Sequence, residues 1–141
     1  MTLYEIPIKI VSEYNSTEHW SVARKRHKRH QLIFASYYRQ NPYLEGFPCI
    51  VYLTRYSPRF LDKDDNLPGA FKWLKDQIAS ELIPGKRKGM ADSDPRIKWE
   101  YGQVKTKDKK YYAVIQILPI PIQSTEISIP QSAASVPEST S

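Results

Sequence analysis

The chain has 141 residues, 40% of them apolar and 26% charged, which describes one globular domain able to bury roughly two thirds of its unfolded surface. A net charge of +6 favours polyanionic partners through a field that acts before contact. The single cysteine, Cys49, excludes an intrachain disulfide and a cysteine-based zinc site and fits a reducing compartment, and no apolar run approaches the length of a membrane span.

Tyr4, Ile6, Ile8 and Ile10 alternate with Glu5, Pro7 and Lys9, the period of a strand with one buried face. The same segment lacks the basic start and long apolar centre of a signal peptide. After a loop over 13–16, Ser16 or Thr17 can cap a helix that runs from His19 to about Gln40 without Pro or Gly. Its first half holds Arg24, Lys25, Arg26, His27, Lys28, Arg29 and His30, whereas its second half holds Leu32, Ile33, Phe34, Tyr37 and Tyr38. The apolar half is expected to dock on a core while the basic half stays solvated.

Asn41-Pro42 and Gly46 break the chain, and Cys49 to Arg55 is rich in β-branched and aromatic residues, hence a second strand. Leu67, Phe71, Leu74, Ile78 and Leu82 then form a stripe of helical period, with Asn66 as cap, Pro68 in the first turn and Pro84-Gly85 as the stop. Ile97, Trp99 and Tyr101 alternate with Lys98 and Glu100 in a third strand. A turn through Thr106 to Lys110 leads to a fourth, Tyr111 to Leu118, so the two are expected to form a hairpin. Beyond Pro121 the sequence becomes rich in Ser, Thr, Pro and Gln. The reading is one domain over 1–121 and a disordered tail over 122–141.

The chemistry is carried by two acidic clusters on this basic background. Asp62, Asp64 and Asp65 precede the second helix, and Asp92 and Asp94 precede the third strand. Carboxylates crowded in this way repel one another, and a divalent cation relieves the repulsion. Hard oxygen donors without cysteine point to magnesium, with manganese as a substitute. His19, His27 and His30 sit on the basic helix and are not assigned as ligands. Helical spacing puts Asp65, Lys72 and Asp76 on one face, distinct from the apolar stripe, so Lys72 can meet a phosphate held at the metal. The plain structural alternative makes these clusters helix caps and turns.

Arg24, Lys25, Arg26, Lys28 and Arg29, together with Lys86, Arg87 and Lys88 of the Gly85 to Gly89 loop, are the candidate DNA contacts. They would hold the phosphate backbone with little sequence reading. Aromatic residues such as Trp20, Tyr37, Tyr38, Trp73 and Trp99 are more often core than stacking platforms, and none is assigned to base contacts.

The order of these parts resembles the RusA-type endonucleases, the Holliday junction resolvases of phages and prophages. The resemblance runs from about residue 4 to 118. It includes Asn15 with Glu18-His19-Trp20, the strand Val51-Tyr52-Leu53-Thr54-Arg55 with Pro58, and above all Asp64-Asp65-Asn66 and Asp92-Ser93-Asp94-Pro95-Arg96-Ile97. It implies a small α/β (α+β) domain with a mixed four-stranded sheet and two main helices. It further implies a homodimer in the bacterial or phage-infected host cytoplasm whose paired magnesium sites cut a four-way DNA junction. Asp65 matches the family's aspartate before its asparagine, and Asp94, or in second place Asp92, matches the aspartate of the later loop. Catalytic roles then fall to Asp64, Asp65, Asp94 and Lys72. Two positions depart from the family pattern: Lys63 stands where it has an aspartate, and Gly69 where it has a lysine, Lys72 coming one helical turn later. Both bear on cleavage more than on fold, and they keep open an alternative, a catalytically impaired junction-binding protein of the same fold.

Overall fold

A computed structural model of the chain describes residues 1–11, 19–61, 67–85 and 90–121. These form a mixed α/β domain. Strand β1 (Thr2–Ile6) leads to helix α1 (Trp20–Gln40) and strand β2 (Cys49–Ser57). Helices α2 (Leu67–Ala70) and α3 (Lys72–Leu82), a short 3-10 turn (Ala91–Ser93) and strands β3 (Ile97–Lys105) and β4 (Tyr112–Pro119) complete it.

The four strands are ordered β1-β4-β2-β3. β2 runs parallel to β3, with Val51 opposite Trp99, and antiparallel to β4, with Leu53 opposite Ile115. β4 in turn takes β1 antiparallel, with Tyr4 opposite Ile115. β3 and β4 are therefore not the hairpin that the short connection between them suggests. They straddle β2, whose Cys49, Val51, Leu53, Arg55 and Ser57 are all buried, and the most buried strand takes the place where both its edges are paired. The connection over 106–111 has to cross only two strand spacings, roughly 10 Å, and Thr106 starts the crossing by donating its N–H to the Ser57 carbonyl at 2.9 Å.

Alternation makes one sheet face apolar, and the helices cover it. Phe34 of α1 and Phe71, Leu74 and Ile78 of the second helical segment close over Ile6, Val51, Leu53, Ile115 and Ile117. Phe34 meets Tyr4 edge to face at 5.4 Å, one of the favoured aromatic geometries, and fixes α1 against β1. On the other face Leu3, Tyr52 and Val104 are exposed.

Several elements end differently from the sequence expectation, each for a local reason. β1 stops at Ile6 because Pro7 has no N–H for the ladder; Ile8 donates instead to the Ile6 carbonyl at 2.8 Å, and the inward alternation continues to Ile8 and Ile10. The first turn of α1 is capped by His19, whose ring nitrogen accepts from the Ser21 N–H, while Ser16 and Thr17 lie outside the described residues. The expected second helix is two helices with Phe71 at the joint, its N–H shared between the Leu67 and Pro68 carbonyls at 3.3 and 3.2 Å. Arg55, within the strand segment that carries the family resemblance, is buried and ties the edge of the domain, donating to the Ile10 and Arg59 carbonyls at 2.8 Å each.

Candidate functional site

The 3-10 turn packs against α3, and this contact assembles a small acidic site. Trp99 of β3 donates its indole N–H to the Asp92 carbonyl at 3.0 Å, and the Lys75 ammonium lies over the Trp99 ring at 5.2 Å. The Asp92 side chain is thereby brought to Asp76 of α3, and the two carboxyl groups lie within hydrogen-bonding reach of each other. Burial first, and then the Asp92 carboxylate, push the Asp76 carboxyl above the ordinary carboxylate range, while Lys72 and Lys75 pull in the opposite direction. Burial disfavours the charged form of Asp76, and the neighbouring carboxylate adds to that.

Asp94, two residues on, has a different environment. Its side chain is buried, and one carboxylate oxygen accepts from the Arg96 backbone N–H at 2.9 Å and from Nε at 3.0 Å. The other accepts from Arg96 Nη2 at 3.0 Å, and the Asp94 N–H donates to the Ala91 carbonyl. This bidentate pairing closes the turn into β3. It also holds the guanidinium proton of Arg96 more firmly than usual, through the hydrogen bond first and the charge second.

Of the sequence-derived candidates, the structure thus places Asp92 at a shared carboxylate site, with Lys72 near enough to act on Asp76, and places Asp94 at Arg96. Asp62, Asp64 and Asp65, and Lys86, Arg87 and Lys88, lie outside the described residues. Among the described residues no group of three or more His, Cys, Asp or Glu is arranged to hold a metal ion. Asp76 and Asp92 supply two hard oxygen donors whose mutual repulsion a dication would relieve, but by themselves fall short of the oxygen set that magnesium takes. Asp76 is the site residue that sequence reading did not name as a ligand. Its signal was the four-residue spacing from Lys72, which placed it on the right face; only the packing of the 3-10 turn supplies its partner.

The basic stretch of α1 is set as expected. Arg24, Lys25, Lys28 and Arg29 are exposed and Arg26 half-buried, whereas His30 turns into the protein. Four assignments change. Trp20 is 66% exposed and Trp73 37% exposed, so neither belongs to the core, although Trp99 does pack against it. Leu32 and Tyr37, expected to dock, also face outward. No helix among the described residues is long and apolar enough to cross a membrane. Compared with protein-family models, with curated proteins and with solved structures, the chain matches none.

Proposed function

We propose that the protein is a magnesium-dependent, structure-selective endodeoxyribonuclease that resolves Holliday junctions in DNA recombination and repair by hydrolysing phosphodiesters. The observation that supports this reading best is the contact of Asp76 with Asp92 beside Lys72. It joins Lys72 and Asp76, on the helix that follows Asp62, Asp64 and Asp65 in the chain, to Asp92 on the 3-10 turn. The resemblance to RusA-type enzymes supplies the junction as substrate; the residues themselves speak for metal-assisted phosphodiester hydrolysis.

In this reading Asp76 and Asp92, with Asp65 and Asp62 or Asp64, would hold the ion. The later-loop role passes to Asp92, since Asp94 is engaged by Arg96. Magnesium, or manganese in its place, would supply water activation and charge stabilisation there. Lys72 offsets charge on the phosphate without touching the ion. Lys75 is kept near the carboxylates by its seat on Trp99, and Arg24, Lys25, Lys28 and Arg29 hold the backbone of the arms. Two symmetric cuts are needed to resolve a four-way junction, and a two-fold dimer in the cytoplasm matches that symmetry.

The test is cleavage of a four-way junction with and without magnesium, beside a linear duplex of the same sequence. Metal-dependent cutting of the junction alone, lost in Asp65→Asn with junction binding retained, is the expected result. Tight junction binding with no cutting in magnesium or manganese would instead establish the impaired binding protein, a reading that Lys63 and Gly69 favour. Weak binding without salt dependence would discard both.

A further inference from the structure

The helical stripe of α1 that faces α3 is unusual in what it carries. Helix grooves of this kind are ordinarily filled by apolar side chains that interdigitate. Here the two helices enclose a groove of about 860 Å³ whose walls include Trp20, Arg24, His27 and Lys28 from α1 and Trp73 and Asp76 from α3. Trp20, Arg24 and Lys28 follow one another at intervals of four, and His27 lies three residues after Arg24, which puts them on one side of the helix.

Three features of the groove converge on one ligand chemistry. The first is flat-ring geometry: His27 and Trp73 are already stacked, with centroids 4.6 Å apart and planes 19° from parallel, and Gln31 fixes that wall by donating to the Trp73 carbonyl at 2.9 Å. The second is an open indole: Trp20, at the first position of α1, keeps most of its surface in solvent at 66% exposure. The third is charge: Arg24 and Lys28 are exposed on the same stripe, four residues or roughly 6 Å apart along the axis, so both can reach phosphates of one strand. A purely apolar occupant would waste these cations, and a free phosphate would leave the indoles unused. Paired bases inside a duplex hide their faces, whereas unpaired bases present them for stacking.

The geometry points to the α1–α3 groove as a binding site for unpaired nucleotides of a DNA strand, with bases stacked against Trp20 and the Trp73–His27 wall and phosphates on Arg24 and Lys28. Asp76 lines the groove and contacts Asp92, so a strand lying there passes the carboxylate pair. That use of the groove rests on the nuclease reading, in which a branch point opened on the protein exposes unpaired nucleotides; the binding itself does not depend on cleavage.

The experiment uses the full chain in EDTA, with tryptophan emission and the anisotropy of a labelled oligothymidylate as readouts. Oligothymidylate should quench the emission and bind about tenfold more tightly than an abasic strand of equal length and charge. Trp20→Ala, at an exposed position that the core does not use, should weaken oligothymidylate binding about tenfold and leave the abasic strand unaffected. Lys28→Gln should weaken both strands and lower the slope of log affinity against log salt by about one. Equal affinity for the abasic strand, or full oligothymidylate affinity in Trp20→Ala, would overturn the proposal by showing contact with the backbone alone. Emission that follows protein concentration and ignores the oligonucleotide would overturn it in favour of an interface between copies. Since no metal is present, a failure of junction cleavage would remove the nuclease reading and leave these results standing.

Discussion

Asp92 and Asp94 stand two residues apart in the same short segment and serve opposite ends. Asp94 is buried, with both oxygens taken by Arg96, and the pair sets the chain into β3. Asp92 is half-buried and meets another acid, Asp76, across the contact between the 3-10 turn and α3. One carboxylate is neutralised within its own turn and stabilises the frame. The other is brought by that frame to a partner that repels it, an arrangement that costs stability and is understandable if something else compensates. Residue type says nothing about which aspartate is which. The partner decides.

The widest separation between the two should be seen in activity. Asp92→Asn removes one donor from the proposed ion site and should lower magnesium-dependent junction cleavage by a hundredfold or more, on the order of the loss when a group acting in the transition state is deleted, while junction binding in EDTA persists. Full cleavage by the variant would assign Asp92 to the frame as well. Asp94→Ala should show the inverse pattern. It deprives the Arg96 N–H of its acceptor and the turn of its closure, and should cost about 2 kcal/mol of folding stability, read from urea unfolding. A variant as stable as the parent would mean that the turn into β3 is held by β2–β3 pairing alone.

How much of this was legible in the sequence depends on the range of the interaction. Alternation located β2, β3 and β4, and the helical stripe from Leu67 to Leu82 located α2 and α3, because those patterns are set by neighbours within one or two turns. The position of β2 between β3 and β4 was not legible. A short connection favours a hairpin on local grounds, and only the burial of the inward face of β2, Cys49, Val51, Leu53, Arg55 and Ser57, outweighs it. The basic face of α1 was plain from charge density. The exposure of Trp20 and Trp73 was not, since an indole is core in most settings and only the α1–α3 groove leaves these two in solvent. For the acidic site, spacing put Asp76 and Lys72 on one face, and the turn chemistry of Asp92 to Pro95 was recognisable. Their meeting is a tertiary event, fixed by Trp99 reaching the Asp92 carbonyl, and no local pattern encodes it. The match of Asp94 to the family's later loop gave no warning that Arg96 occupies both of its oxygens.

The smallest effect tests the repulsion directly. Asp76 is held above the ordinary carboxylate value, near 4, by burial first and Asp92 second. The native protein therefore binds more protons than the unfolded chain between that ordinary value and the raised one, and stability falls with rising pH across this window. The contribution is fully favourable below the unfolded value and is lost once pH has passed the folded one. In EDTA, Asp76→Asn should flatten this decline, so that the variant matches the parent in acid and gains slightly on it at neutral pH, by less than about 1 kcal/mol given the partial exposure of the pair. Magnesium should flatten the parent's curve in the same way and leave the variant's unchanged, because the ion and the amide remove the same repulsion. Parent and variant curves that run parallel with and without magnesium would show that Asp76 and Asp92 are relieved by Lys72 and Lys75 alone, and the corner between α3 and the 3-10 turn would then be frame, like the turn at Asp94.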